Sequence, residues 1–171
     1  MKPGTFYAFA GLTVAAVVAA AVAVSSQTDI TSLTAGTDPA FPNLSENVND
    51  VAKIEITNAK AAFSMTRDGE NWGMDQKDGY RVEFEKVKSA IVNLSNFKLI
   101  ERKTADPARY ERLELSDPSG DTAKSRRIVL KDAKDAVLAD VVIGKINPNL
   151  FGTGGAGTYI RRADEKATWL A

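Results

Sequence analysis

Two arginine pairs, Arg126-Arg127 and Arg161-Arg162, are the residues best placed by type and spacing to recognise something. Each pair falls in a stretch with strand character. Neighbours on a strand point to opposite faces, so each pair is split between the two sides of a sheet. One arginine from each pair, Arg127 and Arg161, could then converge on an acidic partner or a lipid headgroup. A merely solvated sheet face is the commoner role for such pairs, and it is the plainer reading here. Trp72 joins them as a candidate partner-binding residue. It follows a turn, where one edge of an indole can stay exposed, although tryptophan more often fills a core.

Other constellations fail on their own chemistry. Asp75, Asp78, Glu83 and Glu85 cluster where a turn leads into a helix, and acids there favour the helix N-terminal dipole. Their spacing does not give the alternating oxygens and terminal bidentate glutamate of a calcium loop. The run Gly152 to Gly157 lacks the Gly-Lys-Ser/Thr ending of a phosphate loop, and a strand follows it in place of a helix. The chain has no histidine and no cysteine. The usual general base near neutral pH, the commonest metal ligand, thiolate metal sites and disulfides are thereby all removed. We therefore expect no catalytic residue, no cofactor and no metal. With 22 basic and 22 acidic residues the chain is neutral overall. It lacks a global field to attract nucleic acid, and we expect no nucleic-acid partner.

Periodicity along the chain gives the strands and helices that carry these residues. Ala52, Ile54 and Ile56 alternate with Lys53, Glu55 and Thr57, as in a half-buried strand. Asn58-Ala59-Lys60 turns the chain, and Ala61, Phe63 and Met65 resume the alternation. Asp68-Gly69 is a hairpin signal leading to a short strand over 72–74, and Asp78-Gly79 closes this meander. Phe84, Val87, Ile91, Leu94 and Phe97 repeat at three and four residues, which predicts an amphipathic helix ending near Asn96. Ile56, Phe63, Trp72, Val87, Ile91 and Leu94 are expected to share one core. A strand from Leu99 to about Thr104 precedes Asp106-Pro107, which has helix-start chemistry. Tyr110 and Leu113 should face inward from that short second helix. Residues 127–131 and 137–143 form a strand pair turned at Ala133-Lys134-Asp135. Gly144 ends the second of these strands, and 147–157 is a glycine-rich loop. Strands over 158–162 and 167–171 complete an α+β domain built on a mostly antiparallel sheet.

The first 27 residues differ in kind. Phe6 to Val24 carries no charge, and its apolar residues cover every helical face. A helix of that length spans roughly 28 Å, close to the hydrocarbon thickness of a bilayer. The rival is a cleaved signal peptide, because Lys2 gives a positive start and Ala21-Val22-Ala23 fits the small-x-small cleavage pattern. The run exceeds the usual h-region, so an uncleaved signal-anchor over 1–27 is expected, with residues 6–24 in the bilayer. In either case Lys2 stays cytoplasmic and the remainder is exported. Residues 28–50 are polar and turn-rich and are expected to be a tether, with Phe41, Leu44 and Val48 as first docking contacts. The exported domain then occupies 51–171. The sequence stops within a strand pattern, so a C-terminally incomplete domain is expected.

In this order the features resemble the domain-of-unknown-function family numbered 4340. The pieces that carry the resemblance are the N-terminal anchor, Ile54-Glu55-Ile56-Thr57, and Asp68-Gly69 leading to Trp72. They continue with the helix over 84–94, the segment over 110–118, Val142-Ile143-Gly144-Lys145 and Gly157-Thr158-Tyr159-Ile160-Arg161. Arg112 departs from the glycine expected before Leu113, which bears on the local turn. The resemblance implies a membrane-anchored bacterial protein that accompanies ABC transporters of the gliding-motility type. It implies a setting and not a reaction. The expected function is accordingly an inner-membrane, single-pass periplasmic binding or scaffold module, an ABC transporter accessory whose partners are the transporter's membrane subunits. The alternative is a cell-envelope enzyme using carboxylates or a Ser-Lys dyad.

Overall fold

The structure is a computed structural model, and it describes residues 38–150 and 155–171. The expected membrane anchor, the first part of the tether and residues 152–154 of the glycine-rich run lie outside the described residues. Among those described, no helix is long and apolar enough to cross a membrane.

The described part of the tether stretch is packed. A short helix α1 spans Pro42–Glu46, with proline in its first turn, where the missing N–H costs nothing. Ala40, Phe41 and Leu44 are buried, and Ala40 N donates to Phe97 O at 2.7 Å. The docking contacts Phe41 and Leu44 are therefore real. The packed domain begins before Val51, since 38–50 forms part of it.

Four strands make the first meander: β1 (Val51–Asn58), β2 (Ala61–Asp68), β3 (Asn71–Met74) and β4 (Tyr80–Val82). The β1–β2 turn is fixed by Asn58, whose Oδ1 accepts from the N–H groups of Lys60 and Ala61. Gly69 and Glu70 occupy the β2–β3 turn, with Gly69 at φ 61 in the left-handed region that favours glycine. Strand β4 is an addition to the sequence reading. Its residues are mostly exposed, so no alternation marks it.

Helix α2 (Phe84–Ser95) follows and buries Val87, Ile91 and Leu94 at the expected spacing. It joins Ile54, Met65, Trp72 and Leu130 in one core, with Ile56 and Phe63 packed against it. That is the grouping expected from the sequence. Beyond α2 lie β5 (Glu101–Arg102), shorter than expected, and a 3-10 helix at Pro107–Leu113. Asp106 caps this helix by accepting from Ala108 N. The left-handed residue of the following turn is Glu114, at φ 57, so the departure at Arg112 leaves that turn intact.

The second half contains β6 (Arg126–Asp132), β7 (Val137–Leu150), β8 (Gly155–Arg162) and β9 (Thr168–Leu170). Gly144 does not end β7, which runs on to Leu150. Most of the expected loop over 147–157 is the far end of the β7–β8 hairpin. All pairings are antiparallel, in the order β4-β3-β2-β1-β6-β7-β8-β9-β5. The chain thus passes from edge strand β4 to the opposite edge strand β5, and α2 is laid over one sheet face on the way. From β5 it returns to the centre at β6. That return places Tyr110 and Leu115 against the other face.

Candidate functional site

The face away from α2 carries charged side chains beside the buried Val129, Val142 and Leu170, because the strands alternate. Ile54, Ile128, Val141 and Ile160 point toward the helix side, so their neighbours Glu55, Arg127, Val142 and Arg161 point away. Register does the rest. Thr57 pairs with Arg127, Arg127 with Val142, Val142 with Arg161, and Arg161 with Thr168. Arg127 and Arg161 therefore stand in one cross-strand row, separated only by the buried Val142. The two arginines thus share one sheet face, as the strand alternation requires.

Each guanidinium is held differently. Arg127 makes a bidentate contact with Asp140, a diagonal neighbour on β7, through Nε–Oδ1 at 2.8 Å and Nη2–Oδ2 at 2.5 Å. This carboxylate raises the Arg127 pKa above its ordinary value. Arg161 instead lies over the ring of Tyr110, with Cζ 5.1 Å from the centroid. Its Nε is buried without a hydrogen-bond partner among the described residues. Tyr110 is fixed in turn, since its hydroxyl donates to Lys166 O at 2.7 Å.

A third charged group attends this row. Asp117 accepts from the Ser119 hydroxyl at 2.7 Å and from the Ser119 backbone N–H at 2.9 Å. These bonds come first in lowering its pKa, and the positive charges of Arg161 and Arg127 add to them. Asp117 is thus a fixed anion close to the arginine row. It also borders an open cleft of about 520 Å³ shared with Glu111, Glu114 and Lys124. Within that cleft Lys124 Nζ donates to Glu114 Oε1 at 3.2 Å. Thr168, at the end of the row, and Ser125, just before β6, are buried but satisfied. The Ser125 hydroxyl donates to Ser116 O, and that of Thr168 to Thr104 O.

Trp72 is not part of this site. It is 3 % exposed, in the core under α2 on the opposite sheet face. Its position after the turn fits the expectation, but β3 turns the indole inward. The acidic cluster at the helix start also disperses. Asp75 accepts from the hydroxyls of Ser64 and Thr66, and Glu83 pairs with Lys86 in place of capping the helix. Among the described residues no group of acids is arranged to hold a metal ion. Sequence reasoning missed Asp140, Asp117 and the stacking role of Tyr110. Only the diagonal of a known register could have pointed to Asp140.

The family model described as Domain of unknown function (DUF4340) matches residues 72–171, more than half of the chain. The chain belongs to the DUF4340 family. No curated protein and no solved structure matches it. The DUF4340 match contains β4 to β9, α2 and the whole arginine row. The interior strand β1 and its neighbour β2 lie upstream of it, yet they complete the same sheet.

Proposed function

We propose that this chain is a binding or scaffold module of the bacterial inner membrane, with its folded domain in the periplasm, acting as an accessory to an ABC transporter. The uncharged stretch Phe6–Val24 supports single-pass anchoring with a cytoplasmic N-terminus. Partner binding rests on one observation: Arg161, stacked on Tyr110 and set in a row with Arg127, presents a pre-ordered guanidinium on the sheet face away from α2. Pre-ordering of this kind lowers the entropy lost when a partner carboxylate is bound. The partner in this reading is a membrane subunit of the transporter, held nearby because both are confined to one bilayer.

The cleft bordered by Glu111, Glu114 and Asp117 favours the rival reading, a carboxylate enzyme of the cell envelope. Two features weigh against it. A general acid needs a carboxyl that keeps its proton near neutral pH, and Asp117 is shifted the other way. Glu114 is engaged by Lys124.

Crosslinking in intact membranes, followed by identification of the captured proteins, tests the proposal. Capture of transporter membrane subunits is expected. Failure to capture any, together with turnover of an envelope substrate by the purified domain, would replace the scaffold with the enzyme. Intact-mass measurement of the membrane-extracted protein tests the anchor. A mature N-terminus at Val24 would exclude it.

A further inference from the structure

We infer that the groove between α2 and the sheet binds one long-chain carboxylate, with Arg126 meeting its anionic end. The groove has a volume of about 340 Å³, and Lys86 and Asn93 are the polar members of its lining. Its floor is made by Ile56, Ile128 and Ile143, which remain only half-buried because a single 12-residue helix crosses this face. That volume lies at the lower end of the roughly 300–1,000 Å³ typical of small-molecule sites. It suits one methylene chain. A partner helix would need a row of anchors over several turns, which this groove does not offer.

Charge fixes the chemistry of the other end. Arg126 pairs in register with Ile143, so it stands on the groove side of the sheet beside the apolar floor. Directly opposed side chains have their Cβ atoms roughly 4.5–5.5 Å apart. Arg126 is exposed and forms no ion pair among the described residues. Lys86 is already tied to Glu83 at 2.7 Å. The cation left for a ligand is therefore Arg126, and its planar fork matches a carboxylate. An uncharged apolar ligand would leave it unused.

The test uses the full chain in lipid nanodiscs and a diazirine-bearing palmitate, compared with the corresponding alcohol. Adducts are expected on residues 84–97 and 128–143, with the acid labelling up to about fivefold more than the alcohol. Ala90→Trp, at an exposed position lining the groove, should abolish both. Arg126→Glu should bring the acid down to the level of the alcohol and leave the alcohol unchanged. Thermal melting confirms that each variant is folded. Should Ala90→Trp not fold, the comparison of acid with alcohol in Arg126→Glu decides alone. Equal labelling by acid and alcohol, adducts confined to residues 1–37, or labelling that persists in folded Ala90→Trp would overturn the inference. So would occupation of the groove by a diazirine-bearing phospholipid or by a crosslinked protein.

Discussion

Gly144 passes directly under the backbone carbonyl of Leu113. A Cβ at this position would collide with that oxygen, and it would lie 2.9 Å from Glu114 O and 3.0 Å from Leu115 Cδ2. Two of these three atoms are backbone at the end of a 3-10 helix, where Glu114 is already held at φ 57. They cannot move aside as a flexible side chain would. Gly144→Ala should therefore destabilise the domain by about 1–3 kcal/mol, the usual cost of forcing extra volume into a packed site. Gly120→Ala is the control, because its Cβ would meet only Asp117 O at 3.4 Å. That variant should stay within about 0.5 kcal/mol of the parent. Urea midpoints of the two variants check the contrast, and equal midpoints would mean that the 107–115 segment is not pressed against β7.

The same glycine shows where the sequence stops being legible. Glycine after a run of β-branched residues marks either a strand end or a close backbone approach. Nothing local separates the two, and here Leu113, far away in the chain, decides. Helix α2 was legible because Val87, Ile91 and Leu94 carry a 3.6-residue period through a long enough window. The β1–β3 meander was legible because Asn58 and Gly69 supply turn chemistry. Strand β4 was not, since an exposed three-residue edge strand has no alternation to show. Strand order was equally hidden, because β1–β6 and β5–β9 join segments distant in sequence. At the candidate site, Arg127 and Arg161 could be picked out by type. Their partners Asp140 and Tyr110 are set by register and by the return path from β5.

The helix face can be tested directly. Leu94 is 5 % exposed and belongs to the core under α2, whereas Val92 on the opposite face is 38 % exposed. Leu94→Ala should cost about 2–5 kcal/mol through lost burial and the cavity left behind. Val92→Ala should change stability by no more than about 0.5 kcal/mol. Thermal midpoints measured side by side check this. An unchanged midpoint for Leu94→Ala would place the buried stripe elsewhere on the helix.

Glu55 gives the domain part of its acid sensitivity. Its carboxylate accepts from Lys131 Nζ at 2.7 Å, and Lys53 Nζ lies at 3.3 Å. The Lys131 bond leads in lowering its pKa below the ordinary 4.5, against the opposing effect of burial. A depressed carboxyl favours the folded state above its unfolded pKa, and that contribution fades as pH falls through the folded value. The loss therefore begins as pH drops past about 4.5 and is absent at neutral pH. Both partners are partly open to water, so the contribution is under about 1 kcal/mol. Glu55→Gln should be slightly less stable than the parent at pH 7, and the two should converge at pH 3. Urea unfolding at the two pH values measures it. A difference that grows toward pH 3 would reverse the sign and remove this assignment.

The arginine row makes the sharpest demand on the proposed function. Arg127 is occupied by Asp140, so replacing it should first disturb the contact between β6 and β7. Arg161 is held by an aromatic plane, and replacing it should chiefly disturb what it presents outward. Arg161→Ala is therefore expected to leave the thermal midpoint within a few degrees while lowering partner capture in membranes. Arg161→Lys keeps the charge but loses the planar fork and much of the stacking, so it should rescue capture only in part. Asp117 supplies a second handle. It competes for the same positive field, so Asp117→Asn should strengthen capture of an acidic partner, and the gain should shrink as salt rises. Quantitative crosslinking yields for these variants at low and high ionic strength give the measurement. If Arg161→Ala captures as well as the parent, the partner docks elsewhere. If Arg161→Lys is fully equivalent to the parent, charge alone matters and the Tyr110 platform serves folding only.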